Sequence, residues 1–579
     1  MYNSYSKHEI ERLLPSYNFN TFPEFPSKKG LEVLKEKMTE CLSSTCKPSF
    51  YIAPIPCGGG KSRAVQAFIR DWKNRGFDGD GSVIIMLSTL EEIDTYKTGC
   101  GLDRADYACL SPDKEYASYG IGRAKAGQAK VLFVTHEQAR RKMIEAGGFE
   151  AIAAFHYAGK PRSLRLWDEG LTPAIPVSFK LSVFEGLVDV LGASNPELAA
   201  QIERLRLDNK DRIPGHMLFI PKELGDAARK LGIVTKDWTN KDYVRALEGL
   251  GNLAGRYAVL RKDNRYKKAG GLVVVGASAQ LPDDLAPCII LDASVPLRQS
   301  YKHWERRTGK VEFLPAVDVC YSRLSLHWWS TGANKSTLVK EVDRANVLSV
   351  VASTINAKAE ERWLVVHPKE VSGCSITDEI KVSLNQDNVE FLHWGRHLGR
   401  NDHREIKNVI IIGCLHYGQS GYEALYAAST DRLDMPGYED GLADGEFAHH
   451  VYQAACRSNL RNIHEGVAGD ATIYLIAPNK GKRRALLEEA FPACSINDWH
   501  PLPPKLTSKE QTFMEVVRRL FADGRQQVTT KEVREECGGS NSDYLSKLWQ
   551  REAVKDFLQE EGLERRGNRL IRKVGRTAP

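Results

Sequence analysis

No stretch of about 18 consecutive apolar residues occurs in this chain, so the sequence predicts no membrane-spanning helix. Its first residues, MYNSYSKHEIERLLPSYNF, lack the apolar core of a secretory signal, which makes the cytoplasm the expected location. The 12 cysteines never fall in a CxxC pair. Their spacing therefore supplies neither a zinc site nor a disulfide framework, and reduced, buried thiols are expected. Internal repeats and long low-complexity tracts are absent, which excludes a repeat architecture. A strong charge of one sign is missing too: +7 over 579 residues is no more than compatible with a polyanionic partner.

What is present is ordinary for soluble globular protein, 42% hydrophobic and 27% charged residues, so several cores can form. Length alone suggests about four domains. Residues 31–45 (LEVLKEKMTECLSST) read as an amphipathic helix. Short apolar runs at 50–53, 83–87, 131–134 and 164–167 are bounded by polar residues or glycine, the pattern of buried parallel strands in an α/β domain. Residues 171–270 hold long charged, Leu-rich segments such as NPELAAQIERLRLDN and are read as a helical insertion. Strand signals return at 272–275 and 288–291, and a second α/β series has strands expected at 363–366, 409–412 and 473–476. HPLPP at 500–504 reads as a linker. The predicted organisation is an N-terminal segment (1–45), a first α/β domain (46–330), a second (331–500) and a small basic unit (505–579).

Between the first strand and a helix expected over about 61–74 stands Ile55-Pro56-Cys57-Gly58-Gly59-Gly60-Lys61-Ser62. It meets GxxxxGK[ST] at every position but the first, where Ile55 replaces glycine, and it has the strand–turn–helix setting of a phosphate-binding loop. Glycines let backbone amides approach phosphate oxygens, and the helix N-terminus favours anions. The expected nucleotide-binding residues are Cys57, Gly58, Gly59, Gly60, Lys61 and Ser62. Lys61 would neutralise β/γ-phosphate charge and Ser62 would ligate Mg²⁺, so ATP and Mg²⁺ are the expected cofactors.

The apolar run Leu164-Arg165-Leu166-Trp167 ends in Asp168-Glu169-Gly170. Asp168 suits the metal role, and Glu169 the role of orienting or deprotonating the attacking water. Later, EFAHHVYQAACRSNLRN (446–462) spaces Gln453, Arg457 and Arg461 at i, i+4 and i+8, one face of a helix. An arginine reaching ATP from a second domain would stabilise transition-state charge and couple hydrolysis to domain closure. Taken singly, an Asp-Glu pair is usually a solvated loop and an arginine row a solvated face. Their order behind a phosphate-binding loop favours the functional reading of both.

GGGKS, DEG and QxxxRxxxR in this order resemble motifs I, II and VI of the superfamily 2 helicases. VLFVTHEQ (131–138) resembles the strand and loop that contact nucleic acid in the first motor domain, which implies such a role for Thr135. Asp292-Ala293-Ser294 resembles motif III, which links ATP state to the nucleic-acid groove. HWGRHLGRN (393–401) and the strand behind it sit where motifs IV and V are expected. The resemblance covers roughly residues 45–480 as islands and implies two RecA-like domains. The chain departs from the family at Ile55, at Gly170 in the DEAD/DEAH spelling, and in placing Arg461 four residues after Arg457 instead of three, which makes Arg457 the better match. No adenine-reading Gln motif precedes the loop. The insertion resembles the arch of the iron–sulfur DNA helicase branch, which carries four cluster cysteines between motifs I and II. Here only Cys100 and Cys109 lie between Ser62 and Asp168, so no iron–sulfur centre is expected.

The C-terminal unit reads as a helix over 507–522, a short strand at Val528, a second helix (KEVREEC), a turn at Gly538-Gly539 and a third helix running through Trp549. A hairpin turning at Gly567-Asn568 follows, which completes a winged-helix order. Arg565, Arg566, Arg569, Arg572 and Lys573 would touch phosphates from that hairpin. The unit holds 16 Lys/Arg against 12 Asp/Glu, a net of +4. A winged helix that binds protein instead remains the bland alternative.

The expectation is a nucleic-acid-dependent ATPase, a helicase or translocase that moves on single-stranded DNA and holds it mainly through phosphates. The C-terminal unit would add duplex binding, which favours DNA over RNA. An RNA helicase and an ATP-regulated DNA-binding switch without unwinding activity are the alternatives, while protein partners stay open and no membrane partner is expected.

Overall fold

The computed structural model describes residues 26–235, 238–263, 271–395, 403–434, 441–502, 507–539, 543–546 and 548–572. Contacts divide the chain into two compact units between Trp499 and His500.

The larger unit holds two parallel sheets. The first has seven strands in the order Val311–Phe313, Phe50–Ile52, Cys288–Leu291, Leu164–Asp168, Val83–Leu87, Val131–Thr135 and Tyr107–Leu110. Most of its central residues are buried on both faces, which is why these strands read as continuous apolar runs. The helix Pro26–Leu42 seats Leu34, Met38 and Cys41 in the same core as Tyr51, Ile55 and Val65, so the N-terminal helix belongs to this sheet's packing. The second sheet has six parallel strands in the order Val389–His393, Trp363–His367, Asn408–Ile412, Ala471–Ile476, Leu324–Trp329 and Ser495–Asp498. The chain is thus α/β with two parallel-sheet halves.

Two expectations about organisation need correction. The insertion is not simply helical. The helices Val183–Leu191, Pro196–Asn209, Lys222–Val234 and Lys241–Asn252 pack on an antiparallel sheet of Pro176–Lys180, Leu272–Ala277, Arg256–Lys262 and Met217–Ile220. The run at 272–275 therefore closes the insertion and does not rejoin the first parallel sheet. Both kinds of strand present buried Val and Leu, so the sequence pattern alone does not separate them. Second, Leu324–Trp329 lies before the expected boundary at 330 yet pairs with Ala471–Ile476, so the second half begins earlier. The insertion also leans on that half: Val259, Val273 and Val275 pack on Ala424, Ser178 Oγ lies 2.9 Å from Ser420 Oγ, and Arg261 pairs with Glu423 at 2.9 Å.

The smaller unit has its own core of Phe513, Val517, Val533, Leu545, Phe557 and Leu570, among others. Its helices are Ser508–Ala522, Thr530–Glu536, Asp543–Ser546 and Glu552–Glu560, with Gln527–Thr529, Arg569–Arg572 and Leu563–Arg566 as a three-stranded antiparallel sheet. Thr507 and Thr529 each form a capping box, with Glu510 and Glu532, which fixes where the first two helices start. Arg566 pairs with Arg569 across the two-residue turn Gly567-Asn568, as expected. The helix expected to run through Trp549 is broken: one turn ends at Ser546, Leu548 and Trp549 lie in a turn, and the longer helix is Glu552–Glu560. Burying Val554, Phe557 and Leu558 on one face explains that second start. Residues 1–25 of the N-terminal segment, 396–401 of the motif IV–V stretch, Pro503 and Pro504 of the linker, residues 540–542 before the third helix and Lys573 lie outside the described residues.

Candidate active site

Strand Phe50–Ile52 delivers the phosphate-binding loop to the C-terminal edge of the first sheet, and helix Lys61–Asn74 leaves it. Gly60 is the N-cap at φ 88° with no side-chain cap, so the first-turn amides keep their hydrogen-bonding capacity for an anion. Gly58 also has positive φ, and a Cβ there would stand 1.9 Å from the carbonyl oxygen of Arg461. Glycine at 58 is required by backbone conformation and by the close approach of the second half. Ile55, the departure from the motif, is buried in the core beneath the loop, where its Cγ2 comes within 2.9 Å of a Cβ at position 59. It is an apolar floor for the loop.

Asp168 ends its strand buried, with Oδ2 3.4 Å from Ser62 Oγ and accepting the Tyr96 hydroxyl at 2.5 Å. Two oxygens converging from loop and strand are the hard donor set Mg²⁺ accepts beside waters and phosphates. Among the described residues, no group of three or more His, Cys, Asp or Glu forms another metal site. Glu169 adopts φ 72°, unusual for a residue with a Cβ, and its amide donates to the Leu291 carbonyl at 3.1 Å. That twist turns the side chain to Ser88, whose hydroxyl donates to Glu169 Oε2 at 2.9 Å. Burial raises the Glu169 carboxyl above the usual range, with Arg457 opposing the shift. Glu92 accepts the amides of Ser88 and Thr89, and burial together with the Glu169 charge pushes it to about 7. His136 stacks on Trp167 with ring centroids 4.1 Å apart, and burial pushes it down to about 3, so the imidazole is neutral.

The arginine segment is not one continuous helix. Helix Leu442–Ala455 ends before Arg457, and Arg461 sits in the short 3₁₀ turn Asn459–Arg461. The i, i+4, i+8 spacing therefore places no common face, yet the groups still converge. Gln453 Nε2 donates to Ser294 Oγ at 3.0 Å, and Gln453 Oε1 accepts from Arg457 Nη2 at 3.0 Å. The Cys57 amide donates to the Tyr452 hydroxyl at 3.0 Å. Arg461 meets the loop through its backbone, against Gly58. The structure so brings together Cys57 to Ser62, Asp168, Glu169, Gln453, Arg457 and the Asp292–Ser294 turn at the seam of the two halves.

Sequence reasoning missed the bridge that stitches this seam. Arg298 is buried and binds Glu446 of helix Leu442–Ala455 at 2.8 Å, with Asp292 Oδ2 3.8 Å away and bonded to the Tyr301 hydroxyl at 2.8 Å. Burial disfavours the Arg298 charge, and Glu446 and Asp292 more than restore it. Gly170 makes the room, because a Cβ there would lie 2.7 Å from Arg298 Nη1 and 3.0 Å from Asp292 Oδ2. The glycine that breaks the DEAD/DEAH spelling was the signal for this bridge. Glu446→Gln should lower stability by about 3 kcal/mol, because it leaves the buried guanidinium with the more distant Asp292 as its remaining counter-charge. Replacing Arg298 and Glu446 together by leucine should recover most of the loss, as read by chemical denaturation.

Thr135 caps helix His136–Ala146 by accepting the Gln138 amide, which gives it a structural task at the end of its strand. In the smaller unit, Arg565, Arg566, Arg569 and Arg572 are exposed on the hairpin. Arg565 lies over Trp549 and Arg572 bonds the Phe521 carbonyl at 3.0 Å, so both are oriented by their own unit.

No protein-family profile matches the chain, and no curated protein matches it. Among solved structures, an XPD helicase is similar at 12% identity and TM-score 0.46, over 81% of this chain and 99% of that one. Dbp5 of S. cerevisiae, bound to RNA and ADP BeF3, is similar at 11% identity and TM-score 0.36, over 82% of this chain and 93% of that one. The DUF1998 helicase MrfA bound to DNA is similar at 11% identity and TM-score 0.35, over 99% of this chain and 63% of that one.

Proposed function

We propose that this protein is an ATP-dependent nucleic-acid helicase or translocase that acts on DNA. The observation that carries the reading is the meeting of Lys61, Asp168, Glu169 and Arg457 at one seam between two parallel-sheet halves, joined through Gln453 and Ser294. In this reading the loop amides and Lys61 cradle the phosphates. Ser62 and Asp168 would hold Mg²⁺, which would supply charge neutralisation to the bound phosphates. Glu169, turned by its backbone and aimed by Ser88, orients and deprotonates the attacking water. Arg457 faces the same point from the second half and stabilises charge that develops on the transferring phosphoryl group.

Gln453 makes the chemistry mechanical. Its amide spans Arg457 and Ser294, so moving the arginine segment away from the γ-phosphate pulls on the Asp292–Ser294 turn of the first half. Repeated opening and closing of the seam is the stroke. The strand is held mainly through phosphates. Four arginines of the C-terminal hairpin, Arg565, Arg566, Arg569 and Arg572, with Lys573 next in the sequence, support a winged-helix contact to duplex DNA.

ATPase activity over single-stranded, duplex and forked DNA and RNA tests this. Stimulation by single-stranded DNA is expected, and stronger stimulation by RNA would make the protein an RNA helicase. Nucleotide-dependent site binding without strand displacement would make it a switch. Lys61→Ala should weaken nucleotide binding about 10–100-fold, the loss of one charge-assisted contact, and abolish strand displacement. Intact displacement by that variant would end the motor reading.

A further inference from the structure

Two thiols meet across the seam. Cys57 belongs to the phosphate-binding loop, and Cys456 is the C-terminal cap of helix Leu442–Ala455. Both are buried, 7% and 1% exposed, and both belong to the same apolar cluster. Cys57 Sγ lies 3.8 Å from Gln453 Oε1, three residues before Cys456, and its amide is fixed to the Tyr452 hydroxyl. The two thiols lie close enough to influence each other's charge. Beside them Gly58 rests directly on the Arg461 backbone, so no side chain of residue 58 separates the loop from the arginine segment.

We propose that Cys57 and Cys456 form a disulfide under oxidation by a peroxide, and that this bond pins the seam shut and switches off the motor. The bond follows from the thiols' placement, whereas its consequence rests on the helicase reading.

Cys57 is the nucleophile. The neighbouring Cys456 thiol holds the Cys57 thiol below the ordinary thiol range against the burial penalty, and the charges of Lys61, Arg457 and Arg461 add to the effect. The thiolate is the reactive form. Burial holds Cys456 up as the neutral thiol. The Cys57 thiolate attacks one peroxide oxygen, the O–O bond breaks, and the departing hydroxide takes a proton to become water, leaving a sulfenic acid. The Cys456 sulfur then attacks the Cys57 sulfur. The S–S bond forms, the S–O bond breaks, and the Cys456 proton leaves with the hydroxide as a second water. Two thiols lose two electrons and the peroxide gains them. Because both thiols are covered when the halves are together, peroxide enters as the seam opens, and closure presents Cys456 to the oxidised Cys57. The finished bond fixes the distance between loop and arginine segment, which hydrolysis and exchange must change.

A second pair provides an internal control. The Cys41 and Cys46 sulfurs lie 2.9 Å apart at the end of helix Pro26–Leu42, and Cys46 is half-buried. A bond there ties a helix end to its own following loop and joins nothing across the seam.

The test treats the full chain with hydrogen peroxide and reads non-reduced peptides by mass spectrometry beside ATP hydrolysis. The expected result is a Cys57–Cys456 cross-linked peptide and at least a tenfold fall in hydrolysis, both reversed by dithiothreitol. Cys456→Ser should keep the reduced rate, form no such peptide and resist inhibition, and Cys456→Ala serves if serine unfolds the chain. Cys46→Ser should be inhibited like the parent. Absence of the Cys57–Cys456 peptide, equal inhibition of Cys456→Ser, or full hydrolysis by the cross-linked protein would each overturn the proposal. If the reduced protein hydrolyses no ATP with any nucleic acid, the helicase reading fails, while the peptide still decides whether the bond forms.

Discussion

Replacing Arg457 with alanine is expected to slow ATP hydrolysis by about 10³–10⁵-fold, the range attached to an arginine that meets transition-state charge. Nucleotide binding should change far less, because the loop and Lys61 belong to the first half. The geometry behind this is specific: Arg457 is buried, bonded to Gln453 Oε1 at 3.0 Å, and close enough to Glu169 to oppose the rise of its carboxyl pKa. Arg457→Lys should rescue little, since an ammonium lacks the planar fork that binds Gln453 and a phosphoryl oxygen together. Arg461→Ala is expected to be milder, because the contact of Arg461 with the loop runs through its backbone. Single-turnover hydrolysis beside fluorescent-nucleotide binding separates the two effects. A rate within tenfold of the parent for Arg457→Ala would remove the arginine from the chemistry.

Much of the fold was legible because buried parallel strands leave short apolar runs between turns. The runs at 83–87 and 288–291 match Val83–Leu87 and Cys288–Leu291, and the helix expected at 61–74 is Lys61–Asn74. The strands that escaped are edge or mixed ones. Val389–His393 and Ser495–Asp498 lie at opposite edges of the second sheet, where solvent on one side admits Glu390 and Asn497. The site was legible as motifs but not as contacts. Lys61, Asp168 and Glu169 announce themselves in sequence. Tyr96, Ser88, Arg298 and Glu446 do not, since each lies on an unremarkable helix or loop and matters only through the group it touches. The arginine segment shows the limit of periodicity. Its spacing suggested a helix face, but the helix stops at Ala455, and long-range contacts to Ser294 and Gly58 do the gathering instead.

Glu169→Gln is expected to lower hydrolysis by about 10²–10⁴-fold, the usual worth of a positioned general base. Nucleotide should still bind, so the variant should hold ATP and stay closed on nucleic acid longer than the parent. Its stability should not fall. Burial raises the Glu169 carboxyl, meaning that the folded chain disfavours the charged form that is present at neutral pH, and the neutral amide removes that penalty while filling the same space. Loss of rate without loss of melting temperature is therefore the signature, and a structural defect would move both together. Glu92 is a rival base, since it shares the Ser88 loop and is pushed to about 7 in the same pocket. Its carboxylate, however, is occupied by the Ser88 and Thr89 amides at 2.9 and 3.1 Å, which ties it to the start of a helix. Glu92→Gln should keep hydrolysis within about tenfold of the parent and change mainly stability. If Glu92→Gln lost the rate and Glu169→Gln kept it, the base would be Glu92, and the left-handed backbone at Glu169 would need another purpose.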